Sequence, residues 1–174
     1  METKKYVMSM NRKEAKEILK DRLRLNSNSE AVETFRKLAE SECPTAIHIR
    51  LGDYLEITEL NVISKGYFEE AVNILEQKSQ TTKYWIFTND EDNCQNYLPT
   101  SISSRIRLIP HELSSCETLE IMRFCHNYII SNSTFSWWGA FLSRNEDVTV
   151  IAPKNWFRSH TEPFQICPED WIRI

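Results

Sequence analysis

The sequence predicts an α/β fold, a Rossmann-like parallel sheet with flanking helices. Two observations carry that expectation. Stretches with apolar residues at helical spacing alternate with short apolar runs of strand type along most of the chain. Parallel strands need long crossover connections, so this alternation places helices on the faces of a parallel sheet. The chemically capable residues also follow the strands, and in such sheets ligands bind outside the carboxyl ends of the strands.

The elements follow in order. Residues 12–24 place Ala15, Ile18, Leu19 and Leu23 on one helical face, and residues 29–40 do the same with Ala31, Val32, Phe35 and Leu38. The period then changes, and residues 45–50 (TAIHIR) read as the first strand. Residues 67–77 (YFEEAVNILEQ) return to helical spacing after a polar loop. A second strand at 84–88 (YWIFT) runs into an acidic turn at 89–92, and a third at 106–109 (IRLI) is closed by Pro110. A helix carrying Leu119, Met122 and Phe124 leads to the fourth strand, 128–131 (YIIS). A short helix around residues 137–142 precedes the fifth, 148–152 (VTVIA). Without repeats or linkers, the expected organisation is one domain over 1–174: a helical lead-in (1–43) and a sheet-bearing core (44–174).

Composition narrows the partners. With 21 basic against 25 acidic residues the net charge is −4, so the chain has no general attraction to nucleic acid or anionic membrane. No apolar run reaches the roughly 18 residues that cross a bilayer. The opening METKKYVMSMNRKEAKEILK lacks the apolar core of a signal peptide. The expected location is the cytoplasm of a bacterial-type cell, with peripheral membrane attachment as the alternative. The five cysteines (Cys43, Cys94, Cys116, Cys125, Cys167) form no close pair, which disfavours a disulfide scaffold. Cys116 and Cys125–His126 fall short of a four-ligand zinc site. The expected role of the cysteines is as small buried apolar residues.

Only three glycines occur (Gly52, Gly66, Gly139), so neither a G-x-G-x-x-G fingerprint nor a P-loop can be written. Other groups must hold any phosphate. His48, Arg50 and Asp53 follow the first strand, Thr88, Asn89 and Asp90 the second, His111 and Glu112 the third, and Asn132–Ser136 the fourth. The Arg50 guanidinium can fork onto phosphate oxygens. Asn132-Ser133-Thr134-Phe135-Ser136 leads into a helix, where hydroxyls and free amides make an anion site or simply cap the helix. His48 shares a strand face with Ala46 and Arg50 and is either a structural or a functional histidine. Asp53 either accepts from its own turn or orients Arg50. Trp137–Trp138 reads as packing material.

These residues together carry a family likeness. HIRLGDY (48–54) resembles the H-x-R-R-x-D-Y motif of α1,2- and α1,6-fucosyltransferases and protein O-fucosyltransferases. MRFCHNYIISNSTFSWWGAFL, from Met122, closely resembles the signature of glycosyltransferase family 11, the galactoside α1,2-fucosyltransferases. YWIFTND and the tail VIAPKNWF…PEDWIRI are similar to segments of that family in the same order. The likeness implies the C-terminal, donor-binding domain of a GT-B glycosyltransferase. It implies transfer of L-fucose from GDP-fucose to a galactose-containing glycan, with inversion and no metal or other cofactor. Arg50 would then bind the β-phosphate, and His48 would lie against the nucleotide. Ser133 and Thr134, with neighbouring Asn132, Phe135 and Ser136, would hold the diphosphate.

On the same likeness, Asp90 and Glu117 join the donor site, Glu117 standing beside Thr118-Leu119 where the family has Asp-Leu. Asp53 is the candidate base. The second arginine of the motif is Leu51 here, a change expected to remove a cation near donor or acceptor. The family's glycine-rich N-terminal motif has no counterpart, so the family's N-terminal half is expected to be absent. The alternative reading is a non-catalytic nucleotide-sugar-binding module or a degenerate fragment.

Overall fold

The structure is a computed structural model describing residues 14, 16–19, 29–52, 63–78, 81, 83–157 and 166–174. The chain runs α1 (Glu30–Glu42), β1 (Thr45–Ile49), α2 (Lys65–Lys78), β2 (Tyr84–Thr88), α3 (Glu91–Cys94) and a 3-10 turn (Thr100–Arg105). It continues through β3 (Ile106–Leu108), α4 (Ser115–Arg123), β4 (Asn127–Ile129), α5 (Thr134–Phe141), β5 (Thr149–Ala152) and β6 (Ile172–Arg173). Of the first expected helix, residues 14 and 16–19 are helical, and the rest of 12–24 lies outside the described residues.

The strands form one sheet in the order β3-β2-β1-β4-β5-β6, and every neighbouring pair is parallel. The alternating pleat splits the core in two. Ala46, Trp85, Phe87, Tyr128, Ile130, Val150 and Ala152 pack on one face with Val32 and Ala39 of α1, Ile121 and Met122 of α4, and Ala140 and Phe141 of α5. Ile47, Ile49, Tyr84, Ile86, Ile129 and Ile151 pack on the other with Phe68, Ala71, Val72 and Leu75 of α2. This is the doubly covered α/β sheet the alternation predicts. Strand order reverses direction between β1 and β4, and at such switch points ligands of open α/β sheets bind.

Several expected elements change at their edges. The acidic turn at 91–94 is a short helix whose start Asp90 caps. A sixth strand, β6, pairs with β5 through Ile151–Ile172 and Ala152–Arg173; at two residues it carries no periodic signal. β1, β3 and β4 each stop one or two residues sooner than their apolar runs. The cysteines are free, with Cys94, Cys125 and Cys167 buried as expected, whereas Cys43 and Cys116 are exposed. Cys43 ends α1 in the left-handed conformation (φ 43°), and Cys116 lies in the first turn of α4, both too near helix ends to be covered. Among the described residues no helix is long and apolar enough to cross a membrane.

Candidate functional site

Above the carboxyl ends of β1, β2 and β3 lies a cleft of about 350 Å³. His48 and Arg50 enter it from β1, Thr88 and Asn89 from β2, Pro110 and His111 from beyond β3. Ser115 and Thr118 come from the start of α4, and Phe135 from the start of α5. The cleft is therefore built where several elements begin or end, which is why its residues are far apart in sequence.

His48 is 5% exposed, and its Nδ1 is buried with no hydrogen-bond partner among the described residues. Burial, reinforced by the charge of Arg50, pushes its pKa down to about 3. The site thus holds a neutral imidazole beside a permanent cation.

The backbone that carries Arg50 is held from both sides. Ser131 Oγ donates to the His48 carbonyl at 2.5 Å and accepts the Arg50 N–H at 3.3 Å. The Asn89 side chain accepts the Leu51 N–H at 2.9 Å and donates to the Leu51 carbonyl at 3.1 Å. Leu51 itself is 1% exposed and packs with Ile47 and Ile49 in the α2-side core. In this chain residue 51 therefore faces the α2-side core and is not among the residues that line the cleft.

The start of α5 differs from those of α1, α3 and α4. Ser29 accepts the Val32 N–H at the head of α1, Asp90 accepts the Asn93 N–H in α3, and Ser114 and Glu117 form a reciprocal capping box in α4. Ser133 occupies the same position in α5 but makes no side-chain cap bond. The Ser136 hydroxyl donates to the Ser133 carbonyl at 3.2 Å, so it does not cap either. Amides in an uncapped first turn are donors for an outside anion, helped by the helix dipole.

The sequence-derived residues fall into four groups. His48, Arg50 and Phe135 line the cleft. Ser133 and Thr134 stand at the uncapped start of α5 beside it, with Ser133 buried and Thr134 exposed. Asn132 is buried and its side-chain amide donates to the Trp156 carbonyl at 2.7 Å, tying the segment after β5 to the approach to α5. Asp90 and Glu117 are engaged as helix caps and are not among the cleft residues. The Asp90 carboxylate accepts from the Asn93 side chain at 3.0 and 2.9 Å. Glu117 Oε2 accepts from the Ser114 hydroxyl at 2.6 Å, a bond that holds its carboxyl below the ordinary range. Asp53 lies outside the described residues.

Sequence reasoning missed Ser115 and Thr118, and the apolar wall of Phe87, Ile109 and Leu113. A signal was present: Ser114-x-x-Glu117 spells a helix start directly after the third strand, at the rim where a ligand sits.

Known proteins resemble this chain. An alpha-1,2-colitosyltransferase of Escherichia coli is 30% identical over 136 residues, covering 74% of this chain and 47% of its own length. The O-antigen biosynthesis glycosyltransferase WbnK of Escherichia coli is 29% identical over 145 residues, 79% of this chain and 46% of its own. The galactoside alpha-(1,2)-fucosyltransferase 1 of Aotus azarae is 23% identical over 171 residues, 94% of this chain and 44% of its own. The chain spans about half the length of the curated relatives it matches. A crystal structure of NodZ alpha-1,6-fucosyltransferase soaked with GDP-fucose overlaps 66% of this chain and 42% of its own at 15% identity. Its TM-score of 0.40 is too slight a likeness to carry weight. The Glycosyl transferase family 11 model matches residues 4–174, and the chain belongs to that family.

Proposed function

We propose that this chain binds the donor of an α1,2-fucosyltransferase, which moves L-fucose from GDP-fucose to a hydroxyl of a galactose-containing glycan. One observation carries the reading: Arg50 at the end of β1 and the uncapped start of α5 after β4 flank the switch point of the sheet. A diphosphate suits that place, because a forked cation and a helix N-terminus both favour oxygen anions. The nucleoside then extends along the cleft toward Thr118 and the apolar wall of Ile109 and Leu113.

Transfer breaks the bond between the sugar's anomeric carbon and the β-phosphate oxygen, and the acceptor oxygen forms the new bond from the opposite face. GDP leaves carrying added negative charge, which falls on Arg50 and the α5 amides. Fixed donors aimed at such charge are worth about 10²–10³ in rate each. The acceptor proton needs a base, and Asp53 is the sequence-based candidate. The proposed reaction uses no metal, although Asp90-Glu91-Asp92 spells a carboxylate run after β2.

Calorimetric titration with GDP and GDP-fucose, each with and without EDTA, tests the reading. Binding that survives EDTA and falls at least about tenfold in Arg50→Ala supports it, a tenfold loss being about 1.4 kcal/mol. A folded wild-type sample that binds neither nucleotide overturns it. Release of GDP in the presence of a galactose-terminated acceptor separates transfer from binding alone. GDP-colitose beside GDP-fucose tests the choice of donor sugar.

A further inference from the structure

The ladder between β1 and β4 pairs Ile47 with Ile129. Continued by two residues, that register sets Ile49 opposite Ser131. In a parallel ladder the residue at that place would donate its N–H to the carbonyl of residue 48 and accept the N–H of residue 50. The Ser131 hydroxyl makes both of those bonds, to the His48 carbonyl and from the Arg50 N–H. Its backbone is released from the ladder, and its carbonyl accepts the Ser133 N–H at 2.8 Å, turning the chain into α5.

On the other side the β1–β2 ladder ends at Ile49–Thr88. There the Asn89 amide bonds both backbone groups of Leu51, as a neighbouring strand's peptide would. Gly52 follows with φ +62°, and a Cβ on it would stand 3.0 Å from Asn89 Nδ2, so the amide packs closely against the turn. Two side chains thus replace the two neighbouring strands for the residues just past the end of β1, and Arg50 is the residue between them.

We propose that Asn89 and Ser131 are positioning residues, which hold the backbone beyond β1 so that the Arg50 guanidinium presents its fork to the donor diphosphate. The inference rests on the reading of the cleft as a donor site. It adds that donor affinity depends on two residues that need not touch the donor. The fork requires a set direction as well as a charge. Loss of a pair of hydrogen bonds at its base costs affinity on the order of tenfold.

The test is GDP titration of the full chain by calorimetry, with thermal melting of each variant. Wild type binds GDP if the reading of the site is right; its failure to bind would overturn that reading and this inference with it. With wild-type binding in hand, Asn89→Ala is expected to weaken GDP about tenfold. Asn89 is exposed, so this variant folds even where Ser131→Ala, a change at a site 1% exposed, does not. In the Arg50→Lys background, whose ammonium has no fork to orient, Asn89→Ala should cost less than about twofold. Unchanged affinity in Asn89→Ala, or the same loss in the wild-type and Arg50→Lys backgrounds, would overturn the inference while leaving the donor site standing.

Discussion

The rings of His48 on β1 and Phe135 on α5 stand 5.9 Å apart, centroid to centroid, with their planes tilted by 37°. The two arms of the sheet that diverge at the switch point therefore share one wall of the cleft. That contact keeps water from the imidazole, and it explains why a histidine beside a ligand cleft is nonetheless buried. The same burial makes His48 costly to protonate, with consequences for stability as well as binding.

The depressed pKa of His48 gives a pH dependence with a definite sign. Unfolded, the imidazole takes its proton near pH 6.5; folded, it does so only near pH 3. Stability is therefore full above pH 6.5 and declines as pH falls toward 3, because the unfolded state binds one more proton across that window. The slope from this one group is about 1.4 kcal/mol per pH unit. Urea unfolding of wild type and His48→Gln at neutral pH and at about pH 5 should show the variant losing about 2 kcal/mol less over the interval. His126, whose pKa burial also lowers, titrates in both proteins and cancels in the comparison. Equal losses would mean that His48 is hydrated in solution.

Gly52 should resist substitution. Its φ of +62° is a conformation in which a Cβ costs about 1–2 kcal/mol. The added methyl would also crowd Asn89 Nδ2 at 3.0 Å and disturb its bond to the Leu51 carbonyl. Gly52→Ala should lower stability by that amount in chemical denaturation and weaken GDP as Asn89→Ala does. A stable variant with wild-type affinity would contradict both effects.

Away from the cleft, Glu120 is the anchor of a buried ion network. It is 3% exposed, pairs with Arg123 at 2.7 Å and also meets Arg144, while Arg123 Nε donates to the Leu142 carbonyl at 2.9 Å. The network ties α4 to the chain leaving α5. Glu120→Ala would strand the Arg123 cation, whose side chain is 4% exposed, at an expected cost of about 3–5 kcal/mol. Arg144 is 53% exposed, and Arg144→Ala should cost no more than about 1 kcal/mol. Denaturant midpoints for the two variants check the asymmetry; equal effects would count against it.

How much of this was legible in the sequence depends on how local the physics is. Residues 84–88 form β2 as their apolar run indicates, since a short, aromatic-rich run without a charge suits an interior strand covered on both faces. Arg50 and His48 were legible because the period-2 pattern puts them on one face and the strand-end rule puts that face under a ligand. The strand order was not legible, because it is set by which helix crosses which face. The early endings of β1 and β4 were hidden for a different reason: Ser131 looks like one more strand residue until its hydroxyl is seen standing in for its peptide group. Asp90 and Glu117 have a local role that the rim position alone does not reveal. Both precede or begin helices, and both carboxylates are engaged there by amides three residues away or less.

A tight approach between two helices yields the last prediction. Gly139 in α5 faces Met122 in α4, and a Cβ at residue 139 would lie 2.3 Å from Met122 Sδ and 2.9 Å from its Cγ. In an exposed helix, Ala in place of Gly would be worth about 1 kcal/mol. Here the sign should reverse. Met122 is fully buried against α5, and moving it displaces its neighbours in a close-packed core, at a cost of about 1–3 kcal/mol. Gly139→Ala is therefore expected to be destabilising. Met122→Ala alone leaves a cavity and costs about 2–5 kcal/mol. The double variant should recover part of the sum, since the methyl introduced by Gly139→Ala then enters space that the Met122 side chain has vacated. A double-mutant cycle by denaturant unfolding reads this as a favourable coupling of at least about 0.5 kcal/mol. Strict additivity would show that α4 and α5 can slide apart to admit the methyl, and that the close packing behind the uncapped start of α5 is looser than these contacts indicate.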